Sequence, residues 1–165
     1  CMHIRIKSTV LFCGALIVLS PLWFVNCEII RRTRQVAAGS VIKARGLGIA
    51  AYNSTDKVTD RSSRAVRLLT SLSLVENDLA PKGPVRVYIR VKDPEGILLT
   101  NSNQTSFSYN GETLIASASR EVDYEGKEVE MSIYLNDIPS YTKGIYTVEA
   151  YTEKSFLGKA ELLLR

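Results

Sequence analysis

The side chains best suited to attack a carbonyl, bind zinc or move a proton at neutral pH are confined to one end of the chain. Cys1, Cys13 and Cys27 are its three cysteines and His3 its one histidine. From residue 28 onward there is neither a thiol nor an imidazole. That stretch therefore cannot hold a Cys/His nucleophile, a Ser-His-Asp triad, a zinc site built on Cys or His, or an internal disulfide. Carboxylates remain. Asp123, Glu125, Glu128 and Glu130 lie close in sequence, as do Asp93 and Glu95. Neither group has the spacing of a calcium loop. Carboxylate pairs for glycoside chemistry can be drawn from the same residues, but any acidic β-domain offers such pairs. Gly46-Leu47-Gly48 is too short for a phosphate loop and lacks the preceding strand. The expectation is a protein that is not an enzyme, with no catalytic residues, no cofactor and no metal.

Binding chemistry is better represented. In VRVYIRVK, Arg86, Tyr88, Arg90 and Lys92 alternate with apolar residues, which puts three cations and an aromatic in one row. That row is the candidate interaction face; a solvated strand face paired with Glu or Asp across a sheet is the plainer reading. Tyr88, Tyr109, Tyr124, Tyr134, Tyr141 and Tyr151 are available as platforms for a glycan. Cys27 follows Phe24-Val25-Asn26, an arrangement similar to a lipoprotein signal, although Asn26 stands where a small residue is usual. Cys27 is thus the candidate lipidation site, with an ordinary interfacial thiol as the favoured alternative.

The element that would carry Cys27 is apolar. Thr9 to Val25 holds no charge, and the apolar stretch reaches residue 30 if Asn26, Cys27 and Glu28 sit at an interface. A bilayer core of about 30 Å takes roughly 20 helical residues, with about 17 at the short limit. Trp23 lies near one end, where an indole favours the head-group boundary. Residues 1–30 are read as a membrane anchor or signal segment contacting lipid through residues 9–30. An uncleaved anchor is the first choice and a lipoprotein tethered at Cys27 the alternative. Because the chain starts Cys1-Met2, either Met2 is the true start or upstream sequence is missing. Arg31, Arg32, Arg34, Lys43 and Arg45 outnumber Arg5 and Lys7 across the stretch, which taken literally keeps the larger part inside. A short N-terminal tail poor in acid also fits an N-in anchor, and an exported C-terminal domain is the orientation adopted.

The overall charge of +4 hides an asymmetry. Residues 1–64 carry 10 Lys+Arg against 3 Asp+Glu, and the remaining 101 carry 11 against 14. The basic excess lies beside the apolar run, where anionic lipid is the natural counter-charge, so no nucleic-acid partner is expected. Residues 31–64 read as a basic juxtamembrane neck and polar linker. A stripe of small residues (Ala37, Val41, Ala44, Gly48, Ala51) suggests a marginal helix, while Gly39, Gly46 and Gly48 weaken it toward a flexible neck.

From residue 65 the period becomes two. Val66, Leu68, Thr70, Leu72 and Leu74 share a face, as do Val85, Val87, Ile89 and Val91. Asp93-Pro94-Glu95-Gly96 and Asn110-Gly111 supply turns. Further strands are predicted over 97–99, 113–119 (with Leu114, Ala116 and Ala118 inward), 129–135, 145–152 and 156–164. About seven short strands with no helical period among them predict an all-β fold, an antiparallel β-sandwich over 65–165, preceded by the transmembrane helix and the neck.

A resemblance enters at Lys143-Gly144-Ile145-Tyr146-Thr147-Val148-Glu149-Ala150-Tyr151. The G-x-Y-x-V-x-A pattern is similar to the penultimate strand of immunoglobulin-like and fibronectin type III folds. It implies that Tyr146 is a structural corner tyrosine, hydrogen-bonded backward. Together, GPVRVYIRVKDPEGILL and GIYTVEAYTEKSFLGKAELLLR resemble the C-terminal domain of bacterial envelope proteins that carry one N-terminal membrane helix. Over 65–165 that resemblance implies an immunoglobulin-like domain and transfers no catalytic residue. The core tryptophan and disulfide of antibody domains are absent, since the one tryptophan is Trp23. The functional expectation is an inner-membrane envelope protein presenting its β-domain to a protein partner, with a glycan-binding envelope module as the alternative.

Overall fold

In chain order the strands are β1 (Ala44–Tyr52), β2 (Val58–Thr59), β3 (Arg67–Leu74), β4 (Gly83–Lys92), β5 (Thr105–Tyr109), β6 (Glu112–Ala116), β7 (Ala118–Tyr124), β8 (Val129–Leu135), β9 (Gly144–Tyr151) and β10 (Phe156–Leu164). They belong to a computed structural model that describes residues 39–102 and 104–165. One four-stranded sheet runs β2-β1-β3-β8, another β10-β9-β4-β7, and β5 and β6 form a separate two-stranded ribbon. Every pairing is antiparallel. The domain is all-β among the described residues, as the alternating pattern predicted.

Both sheets feed one apolar core. Side chains in a strand point alternately to its two faces, so a period of two buries every second residue. On β3 these are Leu68, Thr70, Leu72 and Leu74; on β8, Met131, Ile133 and Leu135. The other sheet contributes Val87, Ile89 and Val91 of β4 and Tyr146, Val148 and Ala150 of β9. Each fully buried Val, Leu or Ile contributes about 1.5–3 kcal/mol from removal of apolar surface from water. Tyr124, wholly buried, keeps its hydroxyl satisfied by donating to the Val75 carbonyl at 2.7 Å.

Turn chemistry follows residue type. Asn110 and Gly111 both have positive φ (50° and 79°), as a tight hairpin joining β5 to β6 requires. Asp93 Oδ1 accepts from the Glu95 and Ile97 amides, and Gly96 takes the positive φ that closes the turn.

The structure departs from the sequence reading in four places. The neck predicted over residues 31–64 gives way to strand from Ala44, because β1 pairs with β3 from Ala44↔Leu74 to Tyr52↔Arg67. Of the small residues that read as a helical stripe, Ala44 and Ala51 face the core from β1, Ala51 fully buried, while Gly48 lies opposite Ser71 on the outer face and Ala37 falls outside the described residues. The register shifts between Arg45 and Gly48, and Gly46 takes a φ of 65° there, so Gly46 and Gly48 belong to a bulge in a strand rather than weakening a helix. The polar stretch read as linker holds β2 and an Asn53 turn, in which Oδ1 accepts from the Thr55 and Lys57 amides. The strand expected over 97–99 is reduced to an isolated bridge, Lys92↔Leu98. Residues 113–119 do not make one strand but end β6 and begin β7, with Ser117 between them. The expected seven strands are therefore ten among the described residues. The predicted transmembrane helix, the lipid contact over 9–30 and Cys27 lie outside those residues.

Candidate functional site

The row predicted as an interaction face lies on the outer side of β4, opposite the core residues Val87, Ile89 and Val91. It is occupied from within the molecule. Arg86 pairs with Glu121 at 3.1 Å across the β4–β7 ladder. Arg90 Nη1 and Lys92 Nζ stand 3.8 Å and 3.6 Å from the Glu149 carboxylate on β9. Tyr88 is 4% exposed, because the Phe107 ring of β5 stacks on it at 4.3 Å and 8°. Its hydroxyl donates to Glu153 at 3.2 Å, and burial followed by that carboxylate raises its pKa. Arg90 Nε donates to the Ile115 carbonyl of β6 at 3.0 Å. The β5–β6 ribbon thus lies over this face.

Tyr151 and Phe156 continue the same aromatic cluster. Tyr151 meets Phe107 at 5.7 Å, Tyr109 at 5.1 Å and Phe156 at 5.0 Å between ring centroids. Burial, then Glu149, raises the Tyr151 pKa. Of the six tyrosines offered as glycan platforms, Tyr88, Tyr124 and Tyr141 are buried, Tyr109 and Tyr151 are half-buried, and Tyr134 is exposed.

Tyr134 belongs to the outer face of the other sheet. Cross-strand partners share a face, and the register sets Val58 opposite Tyr52, Tyr52 opposite Arg67, and Leu69 between Ala50 and Tyr134. The Arg67 guanidinium lies over two rings, 6.0 Å from the Tyr52 centroid and 5.3 Å from that of Tyr134. It also pairs with Asp56, whose positive φ belongs to the turn between β1 and β2. Its Nε is buried with no hydrogen-bond partner among the described residues. Tyr134 is 50% exposed and Val58 67%. Toward the other end this face turns small and polar, with Gly48, Ser71 and Ser132 in register. Sequence reasoning missed the grouping of Tyr52, Arg67 and Tyr134. The signal that would have found it is the outward set Arg67, Leu69, Ser71, Ser73, but the partner strand β1 has no alternating pattern of its own to place Tyr52 beside it.

The remaining sequence candidates are structural. Tyr146 is 1% exposed; its Oη accepts from the Thr142 amide at 2.8 Å and donates to the Thr142 carbonyl at 3.1 Å. Tyr141 packs beside it with ring centroids 6.0 Å apart. Its own hydroxyl has no partner among the described residues, and burial pushes its pKa up to about 12. Among the acidic residues, Glu128 is engaged bidentately by Arg45 and Asp93 shapes a turn. Among the described residues, no group of three or more His, Cys, Asp or Glu is placed to hold a metal ion, and no helix is long and apolar enough to cross a membrane.

Comparison with known proteins gives a family without an assigned activity. No curated protein matches the chain. Among solved structures, the alkylpurine DNA glycosylase AlkC of Pseudomonas fluorescens, bound to DNA containing an abasic site analog, has a TM-score of 0.41 and 16% sequence identity to it. That likeness covers 75% of this chain and 30% of the glycosylase, so the chain spans less than a third of its length. A family profile described as a domain of unknown function matches residues 45–165, from the second residue of β1 through Arg165. On that match the protein belongs to the DUF8428 family.

Proposed function

We propose that residues 40–165 are an immunoglobulin-like β-sandwich, carried on an N-terminal membrane anchor in a bacterial envelope, that works without catalysis by presenting a surface to a protein partner. Two four-stranded antiparallel sheets sharing one core support the sandwich reading. The backward hydrogen bonds of Tyr146 support the corner-tyrosine role. The uncharged run from Thr9 to Val25 with cations on both sides supports the anchor.

The observation that carries the surface reading is the Tyr52–Arg67–Tyr134 stack beside exposed Val58. Tyrosine and arginine dominate the energetic centres of protein interfaces, since each covers a large area while keeping a polar handle. An arginine already held between two rings loses less side-chain freedom on docking. The outer face of β1-β3-β8 is therefore the contact surface.

A photo-crosslinking residue placed at position 58 of the full chain in its native membrane tests this. The expected result is a discrete protein adduct that disappears in Arg67→Ala and Tyr134→Ala variants of unchanged circular dichroism. Retention on purified cell-wall glycan, lost in Tyr134→Ala, would replace the protein partner by a saccharide. Mass spectrometry of the mature N-terminus tests the anchor: intact Met2 marks a retained helix, and acylated Cys27 marks a lipoprotein.

A further inference from the structure

We propose that the β5–β6 ribbon is a strap that opens as a unit and controls access to an aromatic and cationic face on the β10-β9-β4-β7 sheet. The ribbon is fastened by a cluster of its own. Tyr88, Phe107 and Ala116 are buried together, with Tyr109, Leu114 and Tyr151 packed against them, and none of these six belongs to the main core. Among the described residues, neither ribbon strand joins the ladder of a four-stranded sheet. Among the contacts that hold the ribbon are the Tyr88–Phe107 stack, the contacts of Phe107 and Tyr109 with Tyr151, and the hydrogen bond from Arg90 Nε to the Ile115 carbonyl. A segment with few buried apolar side chains and no ladder to its support sits at the low end of local stability.

The pivot is equally specific. Ser117 separates β6 from β7; its amide donates to the Ile89 carbonyl at 2.8 Å, and its Oγ accepts from the Val91 amide at 2.9 Å. These bonds pin the chain where the ribbon leaves the sheet, so the ribbon can lift without disturbing the register of β4 with β7 or β9. Lifting it frees Arg90 from Ile115 and uncovers Tyr88 and Tyr151 beside Phe156, which is already 47% exposed. With Arg86 and Lys92 the uncovered row carries three aromatic rings and three cations, a composition suited to protein recognition. In the closed molecule only its rim is surface, at Phe156 and Arg86, while Tyr88 is buried beneath Phe107. This device is independent of whatever docks on the opposite sheet.

Hydrogen exchange on the full chain, read by mass spectrometry in increasing sub-denaturing urea, tests the strap. Amides of 105–116 should exchange together, faster than those of β3 and β9 by about a hundredfold or more and with weaker urea dependence. In Phe107→Leu and Phe107→Ala the ribbon amides should exchange progressively faster, by about tenfold or more for Ala, while β3 and β9 stay unchanged. Nitration of Tyr88 by tetranitromethane in the unsubstituted protein should proceed at the ribbon's opening rate. Ribbon amides that exchange only with the core, or substitutions that accelerate all strands alike, would overturn the proposal. So would Tyr88 nitration that runs ahead of ribbon exchange, since it would show the ring accessible with the ribbon closed.

Discussion

Gly144 holds a φ of 133°, and a Cβ built there would lie 2.6 Å from Pro94 Cβ and 2.7 Å from Cγ. Both the backbone conformation and the space demand glycine at the first residue of β9. Gly144→Ala is expected to cost about 1–3 kcal/mol in urea unfolding, and Pro94→Ala in the same chain, which removes Cγ but keeps the nearer Cβ, should restore little of it. Two residues on, Tyr146→Phe strands the Thr142 amide and carbonyl and should lower stability by about 1–3 kcal/mol. Tyr141 behaves in the opposite way, because its buried hydroxyl bonds to nothing among the described residues. Tyr141→Phe should be neutral or stabilising by up to about 1 kcal/mol at pH 7. An unfolded tyrosine ionises near pH 10, whereas folded Tyr141 keeps its proton to about 12. The folded state therefore binds the extra proton in that window, and its stability falls as pH rises from 10 to 12, with no effect below. Denaturation midpoints for the unsubstituted protein and Tyr141→Phe should diverge across that interval and run parallel beneath it.

Elements differ in how openly the sequence states them. β3, β4, β8 and β9 could be read from composition because their apolar residues alternate and their partners' do too. β1 could not: RGLGIAAY has one large aliphatic residue at each of two positions, and what makes it a strand is the ladder that β3 offers. Pairing of this kind is a tertiary effect that no local pattern carries. The split at Ser117 was hidden for a related reason. Leu114 and Ala116 pack on the ribbon's cluster while Ala118 packs against the main core, so one alternating run serves two environments. The site suffered most, since Arg86, Tyr88, Arg90 and Lys92 do share a face, but the ribbon that covers it is the next hairpin folding back over β4, which no pattern within β4 announces. These differences make a firm expectation about boundaries. A chain of residues 40–165 should unfold in one cooperative urea transition, whereas 62–165, lacking β1 and β2, should show no such transition and bind a dye for exposed apolar surface.

At the scale of the whole domain, the two outer faces are treated unequally. One lies under the ribbon and the other presents Tyr134 and Val58 to solvent. Charge is settled locally: Arg45 with Glu128, Arg86 with Glu121, Arg90 and Lys92 with Glu149, and Lys127 with Glu76. Apart from the half-buried Glu149 pairs these are exposed, and exposed pairs contribute little to stability and weaken with salt. Raising salt from 0.05 to about 0.5 M should therefore leave the thermal midpoint within a few degrees, and partner capture on the β1-β3-β8 face, if it rests on the tyrosine–arginine stack, should survive that salt.

Ser117 has one more consequence. The backbone departs β4 at Lys92 and is back within hydrogen-bonding distance of Ile89 and Val91 by Ser117. Everything between those points is an excursion whose two ends almost meet. Such a junction is a natural graft point: one excursion can be exchanged for another of different length or sequence while every buried residue of the main core stays in place, only the partly buried Leu99 reaching that core from this stretch. Diversity within a family built on this frame would then gather between residues 93 and 116, leaving the frame itself as a constant stem beneath interchangeable heads.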